Sequence, residues 1–157
     1  MTIKTEHLSP TSLRLSCHFA ASPERVFEAW TNPQQIAKWF HPEENVYCHE
    51  AQTDPQLGGK FRITLTTTNG PISAFGEYTV FDLPNQLQMT WQWTHEGPEV
   101  FISRLNLDMT PNGKGTDFVM THDRFVDEEA RDNHQHGWTG CLNFLITYFK
   151  NNQDQEN

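Results

Sequence analysis

Histidine and tryptophan side chains offer the clearest chemistry in this sequence. His122 ends an alternating row in a predicted strand, and His134 and His136 lie shortly before Trp138 in a predicted helix. An imidazole can act as a general base, as a metal ligand or as a hydrogen-bonding anchor for a bound molecule. Each of these roles needs partner residues, and those partners decide which role the sequence favours.

A metal site is not expected from the histidine spacing. His134 and His136 are two residues apart, so on a helix their side chains point about 160° apart and cannot bind one ion. His122 and His134 could converge across a cavity, yet no third ligand is evident, and the three cysteines form no Cys-x-x-Cys pair. The sequence predicts no metal and no other cofactor, and it predicts reduced thiols.

An enzyme would need an acid or a base beside its bound substrate. His122, Asp123 and Glu77 are the candidates, but Asp123 and Glu77 are in the opposite strand phase to the residues expected to face inward. The sequence has no Ser-His-Asp set, no glycine-rich phosphate loop and no His-Glu-x-x-His motif. If the protein is an enzyme of the cyclase or hydrolase type, His122 is its predicted base.

The strands and short helices that position these residues follow from periodicity. Alternating apolar residues predict a first strand over residues 13–19. Two short helices follow, since Ser22-Pro23 and Asn32-Pro33 each place a capping side chain before a proline suited to the first helical position. From residue 46 to 125, alternation broken by turn signals predicts about six more antiparallel strands. The strongest turn signals are Asn69-Gly70, Gly97-Pro98 and Asn112-Gly113.

A long C-terminal helix is predicted from Glu128 to Lys150, because Asp127 can cap it and apolar residues recur at helical spacing. Only this element is large enough to cover the sheet, and Gly137 is expected to let it approach closely. The predicted fold class is α+β, in the helix-grip arrangement. It has a curved antiparallel sheet of about seven strands, two short helices after the first strand, and the long helix across the concave face. Residues 1–150 are predicted to form one domain, and residues 151–157 a disordered polar tail.

Composition narrows the classes of function. The chain has 157 residues and a formal net charge of −9, which disfavours binding to nucleic acid or to anionic membranes. Aromatic residues make up 12% of the chain, which excludes general disorder. No apolar run approaches the roughly 18 residues that a membrane helix needs, and residues 1–10 do not resemble a signal peptide. We therefore expect a cytoplasmic protein.

Five short motifs resemble those of the Aha-type family, the homologues of the activator of the heat-shock-protein-90 ATPase, in the START-like, polyketide-cyclase-like (SRPBCC) superfamily. The first motif is Pro-Glu-Arg-Val-Phe-Glu-Ala-Trp-Thr-Asn-Pro at residues 23–33, followed by Lys38-Trp39-Phe40. The others are Gly-Gly-Lys-Phe at 58–61, Leu-Gln-Met-Thr-Trp at 87–91, Gly-Thr at 115–116 and His-Gln-His-Gly-Trp at 134–138. The resemblance covers roughly residues 13–149 and implies the helix-grip fold.

The superfamily includes lipid carriers, hormone binders and cyclases, so the resemblance implies several functions. The first is binding of an apolar or amphipathic small molecule between the sheet and the C-terminal helix, in a cavity of several hundred cubic ångströms. The second is a stress-response or chaperone-linked role, in which an exposed patch binds a protein partner, and the acidic balance would suit a basic one. The third is the enzyme based on His122.

We expect a monomer or a homodimer. The predicted ligand-binding residues are Trp39, Phe61, Tyr78, Trp91, Trp93, Phe118, Met120, His122, His134, Trp138 and Cys141.

Overall fold

One antiparallel sheet dominates the computed structural model, which describes residues 2–96 and 101–152. Its strands are β1 (Lys4–Ser9), β2 (Ser12–Phe19), β3 (Tyr47–Thr53), β4 (Lys60–Thr66), β5 (Ile72–Asp82), β6 (Gln86–Trp93), β7 (Ser103–Asn112) and β8 (Gly115–Asp123). Within the described part of the chain they occur in the spatial order β1-β2-β8-β7-β6-β5-β4-β3. Every neighbouring pair is antiparallel, which matches the predicted sheet type.

Three helices complete the described fold, and their starts follow the predicted caps. They are α1 (Pro23–Thr31), α2 (Pro33–Trp39) and α3 (Glu128–Asn151), with one 3-10 turn at Thr94–Glu96. The side chains of Ser22, Asn32 and Asp127 each accept a hydrogen bond from a backbone N–H in the first helical turn. The helix-grip architecture is therefore confirmed, with two short helices after the first predicted strand and one long helix at the end.

In the described part of the chain the sheet has eight strands, one more than the approximately seven expected, because β1 precedes the predicted first strand. Its residues are mostly exposed, so β1 lacks the apolar alternation that marks a strand in a sequence. It pairs with β2, and the turn between them is held to α3 by Arg131, whose Nη1 donates to the Ser9 carbonyl at 2.9 Å. The predicted turns at Gly70 and Gly113 have positive φ, whereas Gly97-Pro98 lies outside the described residues.

The long helix covers the sheet with one apolar stripe. Trp138, Cys141, Leu142, Leu145 and Phe149 are all buried on α3. On the sheet, the inward rows of β2, β6, β7 and β8 are buried in the same core cluster. Burial of large apolar side chains contributes about 1.5–3 kcal/mol each, so this interface holds the helix in place. No described helix is long and apolar enough to cross a membrane.

The close approach of α3 to its neighbours occurs at Gly140, and not at Gly137 as expected. A Cβ at Gly140 would lie 1.8 Å from the backbone oxygen of Pro42, in the segment that follows α2. A Cβ at Gly137 would meet only the Pro42 side chain, at an ordinary 3.7 Å. Glycine is therefore required at position 140 because α3 lies close to this segment, and not because α3 lies close to the sheet.

Candidate functional site

A pocket of about 230 Å³ lies between the sheet and the first half of α3. The inner sheet face supplies Trp91 and Trp93 from β6, with Leu65 and Ile72 from β4 and β5. The segment between α2 and β3 closes one side. The α3 helix closes the other. The complete lining is Phe40, Pro42, Glu43, Val46, Leu65, Ile72, Trp91, Trp93, His95, Ala130, Asn133, His134, His136, Gly137, Trp138 and Cys141.

Five of the predicted ligand-binding residues line this pocket. Strand phase brings Trp91 and Trp93 to the same face of β6, and helical phase brings His134, Trp138 and Cys141 to the same side of α3. The pocket volume lies below the several hundred cubic ångströms expected, and below the usual 300–1,000 Å³ of ligand pockets. Aromatic side chains form much of the described lining, namely Phe40, Trp91, Trp93 and Trp138.

The structure places the other six predicted residues in the buried core, outside the pocket lining. Phe61 and Tyr78 pack behind Trp91, with ring centroids 5.6 Å apart for Phe61 and Trp91 and 5.5 Å for Phe61 and Tyr78. Trp39 donates its indole N–H to the Ala29 carbonyl at 2.8 Å, which joins α2 to α1. The remaining three, also buried, are Phe118, Met120 and His122 of β8.

Several pocket residues were not predicted. Leu65 and Ile72 follow strand alternation and could have been found from the phase of β4 and β5. Pro42, Glu43 and Val46 belong to an irregular segment without any period, so no sequence signal marks them as pocket residues. At the exposed rim, His136 Nε2 lies 2.9 Å from a carboxylate oxygen of Glu43, joining α3 to this segment.

His122 is completely buried and both of its ring nitrogens are occupied. The indole N–H of Trp138 donates to Nδ1 at 3.0 Å, so the ring proton lies on Nε2 and donates to Ser103 Oγ at 2.7 Å. The Ser103 hydroxyl in turn donates to the Trp91 carbonyl at 3.0 Å. Burial and the neighbouring His134 hold the pKa of His122 well below its usual range. Both nitrogens of this neutral imidazole already have hydrogen-bond partners, so neither is free for a substrate and the geometry does not favour His122 as a base.

His134 makes the second such arrangement, at the pocket wall. Its Nε2 accepts from the indole N–H of Trp93 at 2.9 Å, and its Nδ1–H donates to the Ala130 carbonyl at 2.7 Å. Burial lowers the pKa of His134, and His95 lowers it further, against the hydrogen bond to Ala130 that raises it. His134 is therefore a neutral wall residue whose polar atoms already have protein partners.

The indole N–H of Trp91 is a polar group without a partner. Its side chain is buried and lines the pocket, but its Nε1 has no hydrogen-bond acceptor among the described residues. The other two pocket tryptophans donate to histidines, as described above. A buried donor without an acceptor costs about 1–3 kcal/mol, so this N–H is an unusual feature of the core beside the pocket.

Two further kinds of chemistry find little support in the described residues. Burial raises the pKa of the Cys141 thiol, which keeps it protonated and a poor nucleophile. The described residues contain no group of three or more His, Cys, Asp or Glu side chains that could hold a metal ion. Of the described residues that line the pocket, none is an activated nucleophile.

Comparison with known proteins places the chain in a family. Residues 20–150 match the family model described as activator of Hsp90 ATPase homolog 1-like protein. A comparison with curated proteins finds no match.

Solved structures share the fold at low sequence identity. A protein from Rhodobacter sphaeroides is 24% identical, with a TM-score of 0.79 over 94% of this chain and 97% of that one. The AHSA1 protein from Silicibacter pomeroyi is 23% identical, with a TM-score of 0.74 over 87% and 96%. An HSP90 activator from Plasmodium falciparum is 18% identical, with a TM-score of 0.69 over 88% and 95%. These likenesses show the fold.

Proposed function

This chain belongs to the family of activator of Hsp90 ATPase homolog 1-like proteins, and from that premise we propose that it binds a small apolar or amphipathic molecule between its sheet and α3. The observation that carries the proposal is the pocket walled by Phe40, Trp91, Trp93 and Trp138. A mostly apolar pocket with a few polar groups is the usual form of a small-molecule site. The absence of a free catalytic nitrogen at His122 and His134 favours binding over catalysis.

A native mass spectrum of freshly purified protein, compared with its denatured mass, tests this proposal. We expect extra mass that disappears on denaturation. In the variant Ala130→Phe, a larger side chain in the pocket lining should reduce that extra mass. The matched control is Asn143→Phe, which adds the same side chain to an exposed position of α3 outside this pocket.

A second readout covers ligands that are lost during purification. Added indane, a neutral bicyclic hydrocarbon, should shift the indole resonances of Trp91, Trp93 and Trp138 in a proton–nitrogen correlation spectrum. A bare polypeptide mass together with unchanged indole resonances at saturating indane would overturn the proposal.

A protein-binding role is the second candidate, and a specific surface favours it. His41 stacks on Phe144 with ring centroids 4.1 Å apart and planes within 5°, and Tyr47 lies beside His41 at 5.8 Å. Phe144 and Tyr47 are 45% and 46% exposed, so the aromatic patch formed by His41, Tyr47 and Phe144 presents apolar surface to solvent. Exposed apolar patches are typical of protein-binding sites. Glu43 and Glu44 lie in the adjoining segment and would suit a basic partner.

Retention of an Hsp90 protein on the immobilised chain tests the second candidate. The variant Phe144→Lys should abolish retention, because it removes the stacked ring and adds a positive charge that repels a basic partner. Leu57→Lys is the control, since Leu57 is exposed elsewhere and is not part of the aromatic patch. Absence of retention by the unaltered chain would remove the second candidate.

A further inference from the structure

We infer that protonation of His134 controls this pocket. The neutral imidazole holds Trp93 in the wall, and the protonated form releases Trp93 and binds an apolar molecule more weakly. The inference rests on the proposed function and names how that site is regulated. Three observations carry it: the hydrogen bonds of His134, its place in the pocket wall, and the titratable groups that face it.

The hydrogen bonds of His134 fit only the neutral imidazole. The indole Nε1 of Trp93 can only donate, so His134 Nε2, 2.9 Å away, accepts and carries no proton. The other ring nitrogen, Nδ1, lies 2.7 Å from the Ala130 carbonyl oxygen and donates to it. A second proton would therefore go to Nε2, where it would face the Trp93 N–H, donor against donor. The hydrogen bond that joins β6 to α3 at this point would be lost.

That loss acts on the pocket, because Trp93 and His134 both line it. Trp93 is partly buried and is the last residue of β6. Among the described residues its side chain has no other hydrogen bond, and its ring contacts Trp91 and His95 at centroid distances of 5.9 and 5.6 Å. With His134 protonated, ring contacts alone hold the indole, so we expect this wall to change shape.

An apolar ligand would itself oppose the charged form of His134. Burial already lowers the pKa of this histidine, because a buried imidazolium loses its hydration. A hydrocarbon in the pocket would keep water away from the wall and favour the neutral ring further. Coupling between two binding events is reciprocal, so a ligand that disfavours the proton is itself disfavoured by the proton. Acid should therefore weaken binding.

The titratable groups around His134 do not reverse this direction. His95 of the 3-10 turn further lowers the pKa of His134, and the ring of His122 on β8 lies 5.0 Å away as a second imidazole. Glu43 is the only carboxylate of the described lining, and it pairs with His136 at 2.9 Å. No carboxylate accepts a hydrogen bond from His134 among the described residues, so none stabilises its charged form.

His136 provides a matched control on the same helix. It also lines the pocket, but its side chain is exposed and its partner is Glu43. Protonation of His136 would strengthen that ion pair and leave the hydrogen bond of Trp93 intact. Glutamine in place of either histidine removes one titratable group from the lining. In His134→Gln, the side-chain carbonyl can still accept from Trp93 and cannot be protonated at these pH values.

The experiment measures the dissociation constant of indane between pH 7.5 and 5 for the unaltered protein, His134→Gln and His136→Gln. Indane is uncharged throughout, so any change reports on the protein. We expect the constant of the unaltered protein to rise about threefold or more, and by no more than about tenfold per pH unit. His136→Gln should show the same rise, whereas the constant of His134→Gln should stay within about twofold.

A proton–nitrogen correlation spectrum of the ligand-free protein tests the hydrogen bond without any variant. The Trp93 indole proton should move upfield as His134 is protonated, because it loses its acceptor. The Trp138 indole proton should move less over the same interval, because its acceptor His122 is fully buried and has a pKa well below the ordinary value.

Each outcome bears on one proposal or the other. Indane binding with the same pH dependence in His134→Gln as in the unaltered protein, or with none in either, would overturn this inference and leave the proposed binding function standing. A Trp93 indole resonance that does not move over the interval would also overturn it, whether or not indane binds. Absence of indane binding at every pH would overturn both. A rise that needs His134, together with the movement of the Trp93 resonance, supports both.

Discussion

The two tryptophan–histidine hydrogen bonds differ in their surroundings more than in their chemistry. In each, an indole N–H donates to a neutral imidazole, from Trp138 to His122 at 3.0 Å and from Trp93 to His134 at 2.9 Å. In the first, His122 is fully buried in the core and only Trp138 also lines the pocket, whereas in the second both residues are half-buried and line the pocket. We call them the core pair and the wall pair. The contrast indicates that the core pair holds the fold together and the wall pair shapes the pocket.

The largest expected difference is in stability. His122→Ala leaves the Trp138 N–H without an acceptor in a sealed core and opens a cavity there, so we expect a loss of about 3–5 kcal/mol in the free energy of unfolding. His134→Ala should cost only about 1 kcal/mol, because water can reach the half-buried Trp93 N–H. Urea unfolding of both variants measures the difference. Equal losses would contradict the division into a core pair and a wall pair.

Seating of α3 should give the next largest effect, since that helix carries one member of each pair. Gly140→Ala forces a Cβ against the Pro42 backbone and should cost about 2 kcal/mol through overpacking. Gly137→Ala meets only the Pro42 side chain, at an ordinary 3.7 Å, and should stabilise the helix by up to about 1 kcal/mol. Because Pro42 lines the pocket, a shift of its backbone in Gly140→Ala should also weaken indane binding. Thermal unfolding and probe titration of the two variants check this, and equal stability of the two would contradict it.

Acid should lower the free energy of unfolding, because His122 of the core pair takes up a proton more readily in the unfolded chain. The pKa of His122 is lowered in the folded protein by burial and by His134, so below about pH 6.5 the unfolded chain binds a proton that the folded chain does not. The contribution of His122 to stability should therefore be constant above that pH and decline below it, by at most about 1.4 kcal/mol per pH unit. His134 has a lowered pKa and adds to the same window.

Urea unfolding between pH 7.5 and 5 measures this decline. The lowered pKa of Asp117, held by His18 and Asn112, acts in a separate window below the ordinary range of an aspartate. His122→Gln cannot take up the proton, so its stability should decline less over the same interval. An unchanged slope in His122→Gln would assign the decline to other groups.

How far the sequence predicted these features depends on the kind of pattern each residue belongs to. Period-two alternation placed Trp91, Trp93 and His122 on the inner face, and capping residues placed the helix starts. The strand β1 was missed because polar exposed residues carry no such pattern. The pocket volume and the segment containing Pro42 depend on how side chains from distant elements fill one space, which no local period encodes.

The pairing of each indole with its histidine also lay beyond the sequence. Strand and helix phase predicted that His122 and Trp138 both face the interior. Their hydrogen bond, however, depends on a distance of 3.0 Å between side chains on two different elements, 16 residues apart in the sequence. The expectation that His122 and His134 converge was nearly met, since their ring centroids are 5.0 Å apart. They meet edge to face, as neutral rings with separate partners, and not as two ligands of one site.

The smallest stability change should come from Trp93→Phe, and it sharpens the comparison most. Removing the wall donor leaves His134 Nε2 accessible to water, so we expect a loss below about 1 kcal/mol, whereas Trp138→Phe leaves the buried Nδ1 of His122 unsatisfied and should cost about 1–3 kcal/mol. An imidazole nitrogen that no longer accepts from an indole is easier to protonate. The pKa of His134, followed by nuclear magnetic resonance, should therefore rise toward its ordinary value in Trp93→Phe while that of His122 stays low. A His134 pKa that does not move would mean that burial and His95, and not the indole donor, keep the wall histidine neutral.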